Sequence, residues 1–274
     1  MINSLLLGYT RYFPIEYGKK MLAPFIKMPE NIEYVNRYGA RFLLDTKEYL
    51  MKQIFVYDLY EKNTVRHLVR LIKPEFTFFD VGSNIGFYSL TFAKLMPRGK
   101  VHCFEPNQLS FGRLMKNLEI NNLENVILNN VGLSDEEKDI ESTYNLLNTG
   151  TASVYKKKTN NSFTEIIHLT KFDSYCNQRN IDKIDLIKVD IEGGEYAFLK
   201  GGESIIKNSK KLIMVVEMME ENFVNAGYTS EEIFDYIINL GFKAYLPKSF
   251  PFGLKNVKSL PAEYSDNIIF LRGY

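Results

Sequence analysis

From Phe76 onward the chain repeats one pattern: a short apolar run, a break at glycine or proline, then an amphipathic stretch. The apolar runs are FTFFDV (76–81), KVHCFE (100–105), NVILNNV (125–131), DLIKVD (185–190), LIMVVE (212–217), GFKAYL (241–246) and NIIFL (267–271). Most are apolar on both faces, which suits strands covered by helices on both sides. The periodicity predicts helices between them near 86–96, 107–120, 195–207 and 230–240. The last opens with TSEE, where Thr229 and Glu232 can form a capping box, and closes at Gly241. Such alternation is the signature of an α/β fold.

The first 75 residues follow a different pattern. Residues 1–39 are aromatic-rich with scattered proline and glycine, and read as an irregular or partly helical arm. ARFLLD and YLMKQIFVYDLY, between Ala40 and Tyr60, carry many β-branched and aromatic residues with partial alternation, which predicts a short hairpin. A helix follows, with Asn63 as N-cap, Val65, Leu68, Val69 and Ile72 at helical spacing, and Pro74 as its stop. The polar stretch 134–170, with a KKK run at 156–158, interrupts the later rhythm and reads as an inserted hairpin or lid. The expected organisation is therefore an arm, hairpin and helix over 1–75 on the substrate side, and a Rossmann-like domain over 76–274.

Composition narrows the function. The chain has 274 residues, with 34 Lys and Arg against 33 Asp and Glu, so its formal charge of +1 supplies no basic field for tracking phosphates. Nucleic acid is not expected as a partner, and no [DNS]-P-P-[YFW] element follows the fourth strand. Cys103 and Cys176 have neither disulfide-framework nor zinc spacing. The amino-terminal apolar run is broken by Arg11, Pro14 and Lys19, and no segment reaches the roughly 18 to 20 apolar residues that a membrane span needs. The expectation is a cytoplasmic protein without a transmembrane segment, with a homo-oligomer left open.

Chemistry gathers first at FFDVGSNIGFYS, where Asp80, Gly82 and Gly86 stand between an apolar strand and a helix. A glycine-rich turn lets a ligand approach the backbone and aims the free N–H groups of the helix at it. A dinucleotide fingerprint needs a second glycine where Asn84 stands, and Asp80 repels a pyrophosphate. That acid instead suits an ammonium group, such as the methionine end of S-adenosylmethionine. Glu105 ends the next strand, 19 residues past Gly86, where an acid can accept hydrogen bonds from both hydroxyls of an adenosine ribose.

These residues resemble the FkbM family of S-adenosylmethionine-dependent O-methyltransferases. The resemblance rests on YE (Tyr60, Glu61), FFDVGSNIGFYS, FEPN (104–107), NTGTASV (148–154), IDLIKVDIEGGE (184–195) and VVEM (215–218), in that order, over roughly residues 40–271. It implies a class I methyltransferase fold: a seven-stranded, mostly parallel sheet with helices on both faces and an amino-terminal extension. It also implies a cofactor site drawn from Tyr60, Glu61, Asp80, Gly82, Ser83, Asn84, Gly86, Glu105, Pro106 and Asp190, with Asn130 near the adenine edge. The implied acceptor is a hydroxyl of a sugar, glycan or secondary metabolite.

DLIKVDIEGGE places Asp190, Glu192 and Glu195 in six residues at a strand end, where ligands bind in open α/β sheets. By similarity to sugar O-methyltransferases with a related strand end, Glu192 is the candidate base. Asp190 shares the catalytic site, and Asp190 and Glu217 are candidate ligands for a divalent metal such as magnesium. Nothing in the spacing separates such a site from a metal-free acidic cleft. Glu195 falls in the first turn of a helix, where the dipole alone favours an acid. His67, His102 and His168 lack metal spacing, and His168 is a secondary candidate base. Aromatic clusters at 9–17 and 55–60 are available to wall a substrate pocket. Two other readings remain: a catalytically inactive Rossmann-like module that binds a nucleoside or a partner, and an NAD-dependent oxidoreductase, which Asp80 and Asn84 disfavour.

Overall fold

In the computed structural model, which describes residues 2–13, 18–145, 148–153, 162–249, 251–262 and 264–274, all seven apolar runs become strands of one sheet. Helices α1 (Ile2–Tyr12) and α2 (Lys19–Leu22) lead into a hairpin of β1 (Asn31–Val35) and β2 (Arg41–Asp45). Helices α3 (Tyr49–Tyr57) and α4 (Lys62–Leu71) follow.

The main sheet then begins with β3 (Thr77–Val81), β4 (Lys100–Phe104) and β5 (Val126–Asn129), joined by α5 (Phe87–Leu95) and α6 (Gln108–Glu119). A second, four-stranded sheet interrupts it, made of β6 (Gly132–Ser134), β7 (Lys138–Asn145), β8 (Asn148–Ser153) and β9 (Ser162–Lys171) in the order β6-β9-β7-β8. The KKK run at 156–158 and Val154 lie outside the described residues. After α7 (Phe172–Gln178) the main sheet resumes with β10 (Leu186–Val189), α8 (Glu195–Gly201), α9 (Glu203–Asn208) and β11 (Leu212–Met218). It ends with α10 (Glu220–Ala226), α11 (Ser230–Asn239), β12 (Lys243–Lys248), β13 (Gly253–Val257) and β14 (Asp266–Arg272).

The strand order is β13-β12-β14-β11-β10-β3-β4-β5, with β3, β4, β5, β10 and β11 parallel and β14 inserted antiparallel. Strand alternation splits the core in two. Phe78, Cys103, Leu186 and Val215 face a layer that includes α4, α5, α6 and the amino-terminal hairpin, while Phe79, Phe104, Ile187 and Val216 face α7 to α11. This is the class I methyltransferase architecture. The order reverses at β3, which pairs with β10 on one side and β4 on the other. That reversal opens a crevice at the strands' carboxyl ends.

Four local expectations need correction. YLMKQIFVY is helix α3, not a strand, and the partner of β2 comes from the arm. Leu50, Met51, Ile54 and Phe55 bury one helical face against the core, and that packing outweighs their β propensity. Glu61, not Asn63, stands at the N-cap of α4. The helix expected over 195–207 breaks at Gly202 into α8 and α9. The sheet has an eighth strand, β13, because the polar edge segment GLKNV carries no apolar run to announce it. The Thr229–Glu232 capping box forms as expected. Among the described residues, no helix is long and apolar enough to cross a membrane.

Candidate functional site

A cavity of about 430 Å³ occupies the crevice at the strand-order reversal. One end is built by the loop after β3. Three of its residues, Gly82, Asn84 and Gly86, adopt positive φ of 86°, 48° and 87°. A Cβ at Gly82 would stand 1.9 Å from the carbonyl oxygen of Asp190, and one at Gly86 would stand 2.4 Å from Leu114 Cδ1. The glycines are therefore required by protein packing as well as by left-handed backbone. The N–H groups of Gly82 and Ser83 donate to the Phe104 carbonyl, and Ser83 Oγ donates to the Asp80 carbonyl at 2.7 Å.

Asp80 is buried, and its Oδ2 accepts from both the backbone N–H and the hydroxyl of Ser89 in the first turn of α5. Burial pushes its carboxyl up to about 6, with the Ser89 hydrogen bonds opposing the shift. Glu105 Oε2 accepts from the Asn84 N–H at 2.8 Å, and Oε1 accepts from the Asn107 N–H at 2.9 Å. Burial pushes this carboxyl up to about 7. Both acids border the cavity, as do Tyr60, Gly82, Ser83, Asn84, Pro106, Asp190, Glu192 and Glu217.

Three expected cofactor residues stand behind the wall. Gly86 packs on Leu114, and Glu61 is half-buried beside Tyr88, whose hydroxyl donates to Glu61 Oε2 at 2.6 Å. Asn130 donates from its side-chain amide to the carbonyls of Glu105 at 2.8 Å and Pro106 at 3.1 Å, so it braces the turn that carries Glu105.

The other end of the cavity is the carboxyl end of β10. Lys188, which sequence reasoning passed over, is buried there and donates to Asp190 Oδ2 at 3.0 Å. Its signal is visible in DLIKVD: a lone cation inside an apolar strand, two residues before an acid and hence on the same face. Burial works against its charge, but Asp190 and Glu61 hold the ammonium protonated above its usual range. The Asp190 carboxylate, together with burial, drives the Glu217 carboxyl well above the ordinary value, and burial raises Glu61.

Glu192 has a φ of 55°, a left-handed conformation uncommon for a residue with a side chain. Side chains hold the turn, with the Tyr228 hydroxyl donating to the Gly193 carbonyl. Glu195 accepts from the N–H groups of Ile191 and Gly193 at 3.0 and 2.9 Å, and Asn222 donates to Glu192 Oε2 at 2.8 Å. Glu195 is thus a buried brace for the turn rather than a cavity group.

His168 does not reach the cavity. Alternation along β9 turns Ile167 and Leu169 inward and leaves His168 exposed, 2.9 Å from Asp139. His67 bonds the Lys248 carbonyl, and His102 bonds the Tyr175 hydroxyl. From the aromatic segments, Tyr60 lines the cavity. Tyr9, Tyr12 and Phe13 lie elsewhere, and residues 14–17 are outside the described residues. Tyr49 and Leu50 of α3, with Ser142, Ile167 and Leu169 of the second sheet, complete the walls.

The groups present fit S-adenosylmethionine. Asp80 offers a carboxylate to an ammonium group, Glu105 has acceptor capacity left for a diol, and the buried Asn84 Oδ1 has no partner among the described residues.

The chain is similar in part to several known proteins. The hexuronic acid methyltransferase AglP of Haloferax volcanii is 28% identical over 186 residues, covering 68% of this chain and 73% of the relative. The 2-O-methyltransferase NoeI of Sinorhizobium fredii is 23% identical over 186 residues, covering 62% and 70%. Methyltransferase 1 of Beauveria bassiana is 22% identical over 172 residues, and the match spans 56% of this chain and 66% of that protein. Among solved structures, M. jannaschii TYW2 in complex with AdoMet aligns over 90% of this chain and 87% of its own, at 12% identity and a TM-score of 0.46. The methyltransferase FkbM domain matches residues 80–244, more than half of the sequence. With that span and this fold, the chain belongs to the FkbM-domain methyltransferases, class I enzymes that depend on S-adenosylmethionine.

Proposed function

We propose that this protein is an O-methyltransferase that moves the methyl group of S-adenosylmethionine to a hydroxyl of a sugar-type acceptor, with Glu192 as the base. The observation that carries the reading is the shared cavity: Asp80 and Glu105 at one end, and Glu192 at the other, border a single space of about 430 Å³. When bound, S-adenosylmethionine supplies an electrophilic methyl carbon on a sulfonium leaving group. Asp80 would hold its ammonium group and Glu105 its ribose hydroxyls, and these two acids would thereby orient the donor for in-line displacement. Glu192, held in its left-handed turn by Glu195 and Asn222, takes the hydroxyl proton as the acceptor oxygen forms its bond to carbon. Asp190 is tied to Lys188, so Glu192 is the better placed of the two acids for that role.

The acceptor class rests on AglP and NoeI, whose names specify a hexuronic acid and a 2-O position. The acceptor side would be walled by Tyr49 and Leu50 from the amino-terminal extension and by Ser142 and Ile167 from the inserted strands, which then act as a lid. A panel of hexuronate-bearing and neutral glycans, incubated with protein and labelled S-adenosylmethionine, tests this directly. We expect label on a hydroxyl, and a Glu192→Gln variant that binds S-adenosylhomocysteine normally while kcat falls roughly 100- to 10,000-fold. Tight S-adenosylhomocysteine binding without transfer to any acceptor would favour the inactive binding module.

A further inference from the structure

Asp190 and Glu217, the acids that resemblance marks for a divalent ion, are joined in the structure by Glu61. Glu61, Asp190 and Glu217 each bring one carboxylate oxygen to within 4.8 Å of the others, a spacing that a hard cation accepts. The place beside them is taken. Lys188 Nζ lies 3.0 Å from Asp190 Oδ2 and 3.9 Å from Glu61 Oε2, on a side chain only 2% exposed. The Tyr88 ring covers it, its centroid 5.4 Å from the ammonium. The Tyr88 hydroxyl donates to Glu61 Oε2, the same oxygen that faces Lys188. That oxygen is therefore already hydrogen-bonded by the Tyr88 hydroxyl and faced by the Lys188 ammonium. A divalent ion held by these acids would have to share Asp190 and Glu61 with the Lys188 ammonium, and like charges held so close in a partly buried corner repel.

We propose that Lys188 is the resident cation of this cluster: its ammonium holds Asp190 and offsets part of the charge of Glu61 and Glu217 where a metal ion would otherwise stand, so methyl transfer here needs no divalent ion. Only the last clause rests on the methyl-transfer reading. Lys188 is a positioning residue, acting through Asp190 rather than on the acceptor.

The test titrates Mn²⁺ alone into the full chain, followed by electron paramagnetic resonance, beside a calorimetric titration with S-adenosylhomocysteine. The wild type is expected to bind no Mn²⁺ at the cluster, and its methyl transfer is expected to stay within about twofold when a chelator is added, since Lys188 already fills the cation's place beside Asp190 and Glu61. Lys188→Met keeps the length of the side chain and removes the charge, so it should bind one Mn²⁺ at least about tenfold more tightly than the wild type. Adding Glu217→Gln to it should abolish that site, and Lys188→Arg should exclude Mn²⁺ as the wild type does. A wild-type Mn²⁺ site that Glu217→Gln removes would overturn the proposal, and this arm needs no Lys188 variant to fold. So would a folded Lys188→Met chain with no gain in Mn²⁺ affinity. Failure of the cofactor reading would show instead as absent S-adenosylhomocysteine binding, with the Mn²⁺ results unaffected.

Discussion

The two ends of the cavity hold their acids by different means. At the loop end, Asp80 and Glu105 are satisfied mainly by backbone N–H groups, from Ser89, Asn84 and Asn107. At the strand end, Asp190 and Glu61 are held by the side chains of Lys188 and Tyr88, and Glu192 by that of Asn222. Backbone donors follow from the local shape of the chain. Side-chain donors exist only once distant segments have packed. The loop end is therefore a stiff receptor that a short sequence can specify, while the strand end is an assembled charge network that any one substitution can rearrange.

The two ends meet at Gly82, and breaking that joint should have the largest effect. Gly82→Ala must place a methyl group against the Asp190 carbonyl in a left-handed conformation. We expect a loss of about 2–4 kcal/mol of stability, with S-adenosylhomocysteine binding lost as well, read by denaturant unfolding and calorimetry. A variant as stable as the wild type would mean that the loop and the strand end are free to part.

Next in size is the contrast between acids. Glu105→Gln should weaken S-adenosylhomocysteine roughly 10- to 100-fold, since it removes charged acceptors of hydrogen bonds. Glu217→Gln, at the other end, should leave that affinity within about threefold. Equal losses in both variants would show that the ends do not work separately.

A pH dependence sharpens the same contrast. Glu105 has a folded-state value of about 7 against an ordinary 4.5, so between these values the folded protein holds a proton that the unfolded chain releases. Its contribution to the stability of the ligand-free protein is present at low pH and is lost as pH rises through about 7. Glu195, also raised to about 7, acts in the same window, so the difference between wild type and Glu105→Gln isolates the Glu105 part. Ligand binding runs the other way. Asp80 ionises around pH 6, and affinity for the ammonium-bearing donor should rise as pH increases through that value and flatten in Asp80→Asn. Calorimetry from pH 5 to about 8 reads both trends.

This difference also governs what the sequence could reveal. The loop end was legible because Asp80, Gly82, Asn84 and Gly86 fall within seven residues, and the acid at Glu105 closes the next strand. The seven short apolar runs of the sheet were legible for the same reason, since each is bounded by its own glycine, proline or polar break. The strand end was only half legible: Asp190 and Glu192 stand together, but Glu61 reaches them from the start of α4 and meets Lys188 only once α4 and β10 have packed. In the sequence Gly82 signals ligand access, whereas its packing against Asp190 exists only in the fold. Helix α3 was misread because its aromatic and β-branched residues favour strands, and only the core beneath Leu50, Met51, Ile54 and Phe55 decides otherwise.

The smallest effects should separate a brace from a bystander. Asn222→Ala removes the amide that donates to Glu192 Oε2, and kcat should fall about tenfold with little change in S-adenosylhomocysteine affinity, because the acid loses its orientation but not its charge. His168→Ala should leave kcat within about twofold. The histidine is paired with Asp139 on the outer face of β9, and an exposed pair of this kind contributes little. A large loss in His168→Ala would mean that β9 presents its other face to the acceptor, which requires a one-residue shift of its register against β7. That shift would also expel Ile167 and Leu169 from the cavity, so Ile167→Ala, expected to alter KM for the acceptor, would then be silent.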